Sequence, residues 1–305
     1  MKRILESFKN LYRGSDVVKK HLMVALMFVI PGLLGATAQF ADKEYKEILV
    51  PVLIAAVVLL VLSIIPILFL SGFYIKFVNK RLVDGAEGIP AMDLDCLVQG
   101  LKLIPVYFVW SVYVGIPVGL YFFAVIAAFL CLMATKPETY VVILSTIVLF
   151  GLCFLLIIPL FIITPFIQQV YIKYAETLEY SKSVFNPLTP FRFMKRAFKE
   201  SMLVALKFLI VSVVTSSIAQ VFGFIIAMFI IVVMMFAIAF SHSSDPSKLP
   251  AWIIILLILI SSLAGVIQGY VTQMTQLAYI DNLEDVYKEK LLEQSIADES
   301  PETQE

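Results

Sequence analysis

Six long apolar runs constrain this chain more than any other feature of its sequence. About 20 residues suffice to cross the hydrocarbon core of a bilayer, and a helix in a soluble protein has no reason to be apolar on every side for that long. The composition agrees, with 61% apolar and only 15% charged residues. The sequence therefore predicts an all-α polytopic membrane protein with six transmembrane helices. The predicted spans lie near residues 21–41, 48–75, 103–133, 139–172, 206–240 and 250–280.

Several apolar runs are longer than one crossing requires. A helix of about 30 residues is roughly 45 Å long, whereas the hydrocarbon core is about 30 Å thick. Two crossings would need a polar turn, which none of the runs contains. The spans must therefore tilt, kink or project beyond the bilayer, and prolines predict kinks in spans two to four. These prolines are Pro66, Pro117, Pro159 and Pro165.

The distribution of basic residues predicts the orientation. Nineteen of the 23 Lys and Arg residues fall in the N-terminal segment, in loops 2–3 and 4–5 and in the C-terminal segment, and four fall on the other side. Loops rich in Lys and Arg stay in the cytoplasm. We therefore expect a multi-pass protein of the cell inner (cytoplasmic) membrane with both termini cytoplasmic. Ala36-Thr37-Ala38 leaves open a cleavage after span one, which would not change the orientation of the other spans.

Amphipathic helices are predicted before every odd-numbered span. Residues 1–20 contain the first, whose basic residues lie off its apolar face, as is typical of a helix in an anionic membrane surface. The second precedes span three and the third precedes span five. The apolar faces comprise Met1, Ile4, Leu5, Phe8, Leu11 and Tyr12, then Leu94, Leu97, Val98 and Leu101, and finally Phe191, Met194 and Phe198. Gly14-Ser15-Asp16 is predicted to form a turn that caps span one.

The even-numbered spans share an ending. Tyr74-Ile75, Tyr171-Ile172 and Tyr279-Ile280 each stand immediately before the first charged residue after the span. With the surface helices, these endings predict three copies of one unit, made of a surface helix, a span, a short outer turn and a second span. The alternative is that membrane interfaces recruit tyrosines and amphipathic helices at every such position.

The loop between spans two and three carries a resemblance to a known family. Its residues are Gly72 and Tyr74 at the helix end, the run Gly88-Ile89-Pro90-Ala91-Met92-Asp93, and Gly100-Leu101-Lys102 at the start of the next helix. This pattern resembles the signature loop of DUF4013, a family of prokaryotic multi-span membrane proteins of uncharacterised activity. The resemblance implies a membrane protein and supplies no catalytic residue.

Spans five and six carry the most polar surface. The candidate polar stripes are Ser212, Ser216 and Gln220 in span five, and Gln268, Thr272 and Gln276 in span six. GxxxG motifs occur at Gly115 and Gly119 in span three and at Gly265 and Gly269 in span six. The structural interpretation is that small residues let helices approach and that amides form hydrogen bonds across the contact. The functional interpretation is that the stripes line a polar pathway.

Four basic residues before span five are candidate contacts for lipid headgroups. They are Arg192, Lys195, Arg196 and Lys199, beside Phe191 and Phe198, and the same cluster also follows from the orientation rule alone. No charged residue lies deep in a span, and the chain has no phosphate loop, no metal-ligand spacing and no sequence motif of a catalytic triad. We therefore predict no catalytic, cofactor-binding or metal-binding residues, and no nucleic-acid partner.

Two functions of different class follow from these features. The first is a non-enzymatic membrane module that organises lipids, chiefly anionic headgroups, or a partner protein. The alternative is a transporter or channel-like protein with a polar pathway between spans five and six. Residues 281–305 are predicted to be an acidic cytoplasmic tail that folds back on the basic loops. This tail is expected to begin as a helix with Leu283, Val286, Tyr287 and Leu291 on one face.

Overall fold

Helices form nearly all of the chain that this computed structural model describes, which is residues 4–39, 49–135, 139–241 and 251–292. They are α1 (Ile4–Leu11), α2 (Val17–Leu26), α3 (Val29–Gln39), α4 (Leu49–Val83), α5 (Leu94–Thr135), α6 (Thr139–Thr177), α7 (Lys182–Phe185), α8 (Thr189–Ser241) and α9 (Ala251–Tyr287). A π-helical turn, Lys288–Leu292, continues α9. Six segments are long and apolar enough to cross a membrane: Val17–Thr37, Leu53–Val83, Leu94–Cys131, Ser145–Thr177, Thr189–Phe236 and Ile255–Leu291. The predicted all-α fold with six spans is confirmed.

Span one consists of two helices rather than one. The chain leaves α2 after Leu26, and the Phe28 N–H donates to the Ala25 carbonyl oxygen at 3.0 Å, the spacing of a 3₁₀ turn. Pro31 accounts for the break, because it has no N–H and its ring crowds the carbonyl of Met27. In contrast, Pro66, Pro117, Pro159 and Pro165 lie inside the unbroken helices α4, α5 and α6.

The helix that leads into span five has a kink at Ala197. Its φ of −132° and ψ of 36° lie outside the helical region. No proline lies at this kink, although the sequence predicted kinks at prolines only. Residues 189–196 before it and the long helix after it therefore run in different directions, as a surface helix followed by a span would.

Contacts among the helices divide the chain into two units. The first contains Met1–Leu101 and Leu206–Asn282. In this unit α3 packs on α4, and Gly32 of α3 lies against the backbone of Ser262 in α9. The core is built from large apolar side chains of two helices. It includes Phe73, Ile75 and Phe77 of α4, and Leu277 and Ile280 of α9.

The second unit contains Lys102–Ala205 and Leu283–Glu305. The indole N–H of Trp110 in α5 donates to the carbonyl oxygen of Val184 in α7 at 2.9 Å, and Phe166 and Val170 of α6 are fully buried. The helical face predicted for the start of the C-terminal tail is buried here as well. Its members are Leu283, Val286, Tyr287 and Leu291. Residues 293–305, where the acidic tail is predicted, lie outside the described residues.

Burial is concentrated where the even-numbered spans end. We call residues 73–78, 170–175 and 278–283 the Tyr-Ile segments. Four positions are buried in each segment: the residue before Tyr, the Ile, and the third and fourth residues after Tyr. These are Phe73, Ile75, Phe77 and Val78, then Val170, Ile172, Tyr174 and Ala175, and finally Ala278, Ile280, Asn282 and Leu283. Much of the remaining span surface is exposed and apolar, as for Leu60 and Ile64 of α4, and lipid chains suit such a surface.

Candidate functional site

Three helical segments precede the odd-numbered spans, namely α1, residues 94–101 and residues 189–201, and we call them the surface segments. The side chains that they bury are mostly small or polar. These are Ser7, Asn10 and Leu11, then Cys96, Gln99 and Gly100, and finally Thr189, Pro190, Phe193, Ala197 and Ser201. The apolar side chains that they expose include Leu5, Leu94, Val98, Phe191 and Phe198. A soluble amphipathic helix does the reverse, so these exposed apolar faces suit contact with lipid.

The first surface segment is attached to the last span. The Asn282 side-chain amide of α9 donates to Ser7 Oγ, and both residues are buried. The hydroxyl groups of Tyr12 and Tyr270 lie 3.1 Å apart. These polar contacts fix α1 on α9 and leave Leu5 exposed on its other side.

His21 joins the same contact. Its ring stacks on Tyr12 with centroids 4.3 Å apart and planes 7° from parallel. Nε2 lies 3.2 Å from the Leu11 carbonyl oxygen, and Nδ1 lies 2.8 Å from the Tyr270 hydroxyl. A carbonyl oxygen only accepts, so Nε2 carries a proton, and in the neutral ring Nδ1 then accepts from the Tyr270 hydroxyl. The sequence showed no partner for His21 because these partners come from α1 and α9.

The second surface segment crosses the end of α4 at two glycines. A Cβ added at Gly72 would overlap the Cys96 carbonyl oxygen, and one added at Gly100 would overlap the Leu68 carbonyl oxygen. Beside this crossing, the Lys76 ammonium lies 2.6 Å from a carboxylate oxygen of Asp93 and 3.5 Å from one of Asp95. The hydrogen bond from Lys76 holds the pKa of Asp93 below its ordinary value.

The loop between α4 and α5 packs on the turn that follows α1. Gly88 has a φ of +79° and lies so close to the Arg13 carbonyl oxygen that a Cβ would overlap it, so both its conformation and its surroundings require glycine. The guanidinium of Arg13 donates to both carboxylate oxygens of Glu87, at 3.0 and 3.1 Å. The turn itself forms as predicted, but the predicted cap is wrong. Asp16 has a φ of 55° and makes no side-chain capping hydrogen bond.

The third surface segment packs on the end of α6. The Gln169 side-chain amide donates to Ser201 Oγ at 2.7 Å, and the rings of Phe166 and Phe198 stack with centroids 6.2 Å apart. In each of the three predicted repeats, the end of the even-numbered span therefore contacts a surface segment. The contact is made by the Tyr-Ile segment itself or by the helical turn before it. The pairs are α4 with residues 94–101, α6 with residues 189–201, and α9 with α1.

The exposed side of the third surface segment carries the candidate headgroup contacts. Arg192, Lys195, Arg196 and Lys199 are all exposed, and we call them the basic face. Phe191 and Phe198, 48% and 49% exposed, lie on the same segment, while Phe193 and Ala197 are buried. Cationic groups beside exposed aromatic rings are the side chains expected at a headgroup layer.

The residues of the two polar stripes differ in their exposure. Ser212, Gln220, Thr272 and Gln276 are exposed, and Ser216 and Gln268 are half-buried. The hydrogen bond seen between α8 and α9 lies off both stripes, from Thr275 Oγ to Thr215 Oγ at 3.2 Å. A cavity of about 200 Å³ lies between α5 and α6, lined by Ser145 and otherwise by apolar side chains such as Phe129 and Leu152.

The two GxxxG motifs differ in their surroundings. A Cβ at Gly265 would collide with Gly32 of α3, and one at Gly269 with the ring of Phe28 in the turn before α3. This contact agrees with the predicted close helix approach. For Gly115 and Gly119, no heavy atom of the described chain lies within 4 Å of an added Cβ. The motif at Gly115 and Gly119 therefore faces open space in this structure.

A buried ion pair joins α4 to α9. The Arg81 guanidinium contacts the Asp281 carboxylate, with side chains only 8% and 0% exposed. Burying both charges is costly unless they remain together. This pair could not be predicted from the sequence, because each residue resembles an ordinary charge at a membrane interface. Arg81 stands six residues after the dipeptide Tyr74-Ile75, and Asp281 directly follows Tyr279-Ile280.

No metal centre or known relative defines this site further. Among the residues that the structure describes, no group of three or more His, Cys, Asp and Glu side chains could hold a metal ion. Comparisons with protein-family models, with curated proteins and with solved structures give no match to this chain.

Proposed function

We propose that the protein is a non-enzymatic integral membrane module whose surface segments bind anionic lipid headgroups. The observation that carries this proposal is the exposed side of the third surface segment, where the basic face lies with Phe191 and Phe198. Each Lys or Arg near an anionic surface contributes about 1 kcal/mol of attraction. The aromatic rings and the exposed apolar residues of the other surface segments suit the adjoining acyl region.

The transporter alternative receives less support from the same helices. A pathway between spans five and six would bring the two polar stripes to one water-filled surface. Four of their six residues are exposed and the hydrogen bond between the helices lies off the stripes. We therefore retain lipid binding as the proposed function.

Neutralising the basic face tests the proposal. In R192Q/K195Q/K199Q, Arg196 stays because it makes an interaction within the protein. We expect the ratio of bound phosphatidylglycerol to bound phosphatidylcholine to fall about tenfold or more, since three cations contribute up to about 3 kcal/mol. Native mass spectrometry of the purified protein with equal amounts of both lipids measures this ratio.

The matched control exchanges the same side chains without changing their charge. The variant R192K/K195R/K199R should keep the lipid ratio within about twofold, because the attraction is chiefly electrostatic. A neutral variant that keeps the wild-type ratio would show that lipid recognition lies elsewhere.

The same proposal includes an orientation. We propose an inner-membrane protein with both termini cytoplasmic, supported by the nineteen basic residues on one side, and membership of DUF4013, supported by the loop residues quoted above. In a background lacking the three native cysteines, a single cysteine at Lys195 should react with a membrane-impermeant maleimide only in opened cells. One at Lys43 should react in intact cells, and the opposite pattern would contradict the orientation.

A further inference from the structure

The last described helical turns pack on the third surface segment. Leu291 is buried in the π-helical turn that ends at Leu292. One turn earlier, the Tyr287 ring packs edge-on against Phe193 with centroids 6.3 Å apart, and its hydroxyl donates to Glu176 Oε2 at 2.6 Å. Phe193 directly follows Arg192 in the surface segment. The described chain therefore ends close to the residues that we propose bind lipid.

The charge of the following residues is of the opposite sign. Residues 293–305 contain five acidic and no basic residues, namely Glu293, Asp298, Glu299, Glu302 and Glu305. The surface segment at 189–201 contains the four residues of the basic face and one acidic residue, Glu200. Carboxylates and headgroup phosphates both pair with Arg and Lys through charge-assisted hydrogen bonds. The tail and an anionic lipid thus offer the same chemistry to this face.

The tail is also long enough to cover the basic face. Thirteen extended residues span up to about 45 Å, whereas residues 192–199 of a helix rise by only about 10 Å. A binding segment on a short tether has an effective concentration in the millimolar range. A weak electrostatic contact is therefore enough to populate the bound arrangement.

We propose that residues 293–305 bind the basic face and compete there with anionic lipid headgroups. The identity of the competitor rests on the proposed function, whereas the contact between the tail and the basic face does not. Lipid cannot bind the basic face while the tail covers it. The apparent lipid affinity is therefore reduced in proportion to the fraction of time for which the face is uncovered. A bilayer dense in anionic lipid displaces it by mass action.

Neutralising the tail tests the competition. In E293Q/D298N/E299Q/E302Q/E305Q, we expect the affinity for phosphatidylglycerol to rise about threefold or more, as follows if the tail covers the face about two thirds of the time. The control D42N/E44Q/E47Q/E138Q/D245N changes the net charge equally, in the predicted outer loops, and should leave the affinity unchanged. In the R192Q/K195Q/K199Q background, neutralising the tail should have no effect. Titration with phosphatidylglycerol by native mass spectrometry measures the wild type, the tail variant, the control, and the R192Q/K195Q/K199Q protein with and without the tail change.

Carbodiimide crosslinking tests the contact without lipid. It should join Lys195 or Lys199 to a carboxylate of residues 293–305 in lipid-free detergent, and phosphatidylglycerol should suppress the product that mass spectrometry detects. Absence of this product, or an unchanged lipid affinity after tail neutralisation, would overturn the proposal. If crosslinks form but the neutral basic-face variant binds lipid normally, the proposed function fails and the tail contact stands. If that variant loses lipid binding but the tail variant gains none, only the competition fails.

Discussion

Replacing Asp281 with leucine is expected to lower the free energy of unfolding by about 3–5 kcal/mol, because it leaves the Arg81 charge buried without this carboxylate. Arg81 is 7% exposed, and a hydrogen bond that it also makes, to the Ala86 carbonyl oxygen, is long at 3.4 Å. Unfolding in detergent by titration with a denaturing surfactant, followed by circular dichroism, measures the loss.

Two further variants separate the charge from the shape of the side chain. The double variant R81M/D281L removes both charges and should recover most of the stability, since apolar pairs commonly replace buried ion pairs at little cost. Asp93→Asn breaks the more exposed pair with Lys76, whose side chains are 47% and 25% exposed, and should cost less than about 1 kcal/mol. A D281L protein as stable as D93N would show that the buried pair does not hold α4 to α9.

Replacing Gly72 with alanine is expected to lower the free energy of unfolding by about 3 kcal/mol, at the upper end of the usual cost of overpacking. The new Cβ would overlap the Cys96 carbonyl oxygen and approach the Gly100 backbone, and backbone atoms cannot rotate away as a side chain can. The helices must therefore separate. Helix propensity acts in the opposite direction, because alanine is favoured over glycine by up to about 1 kcal/mol.

Gly115→Ala is the matched control for this effect. Gly115 also lies within a long membrane helix, but no atom of the described chain lies within 4 Å of its added Cβ. This variant should be as stable as the wild type or slightly more stable. The same surfactant titration, applied to both variants, shows whether the helix contact or the helix propensity dominates. Equal stabilities of the Gly72→Ala and Gly115→Ala variants would contradict the close helix crossing.

The sequence predicted the helices better than it predicted their contacts. Length and the absence of charge predict a membrane helix independently of its neighbours, so six spans could be located from the chain alone. The break in span one and the kink at Ala197 depend on local backbone geometry and were missed. Pro31 offered a signal for the first, whereas nothing in the sequence around Ala197 marks the second.

The protein-facing sides of the surface segments show why contacts are harder to predict. In a soluble protein an apolar face marks the side that packs, but here lipid can take that face and the protein takes the small and polar one. Ser7 and Gln99 therefore look like solvent-facing residues in the sequence and are buried in the structure. The four residues of the basic face could be selected from the sequence, because their charge keeps them on the outside whichever partner the helix has.

The attachment of α1 to α9 has a consequence for the order of assembly during synthesis. Tyr12 and Tyr270 are 258 residues apart in the chain, and at about 5–20 residues per second the ribosome makes the second roughly 13 to 50 s after the first. During that interval Ser7 and His21 have none of their partners from the last span. α1 therefore reaches its final environment only after α9 has been made, and until then it lacks the contacts that fix it.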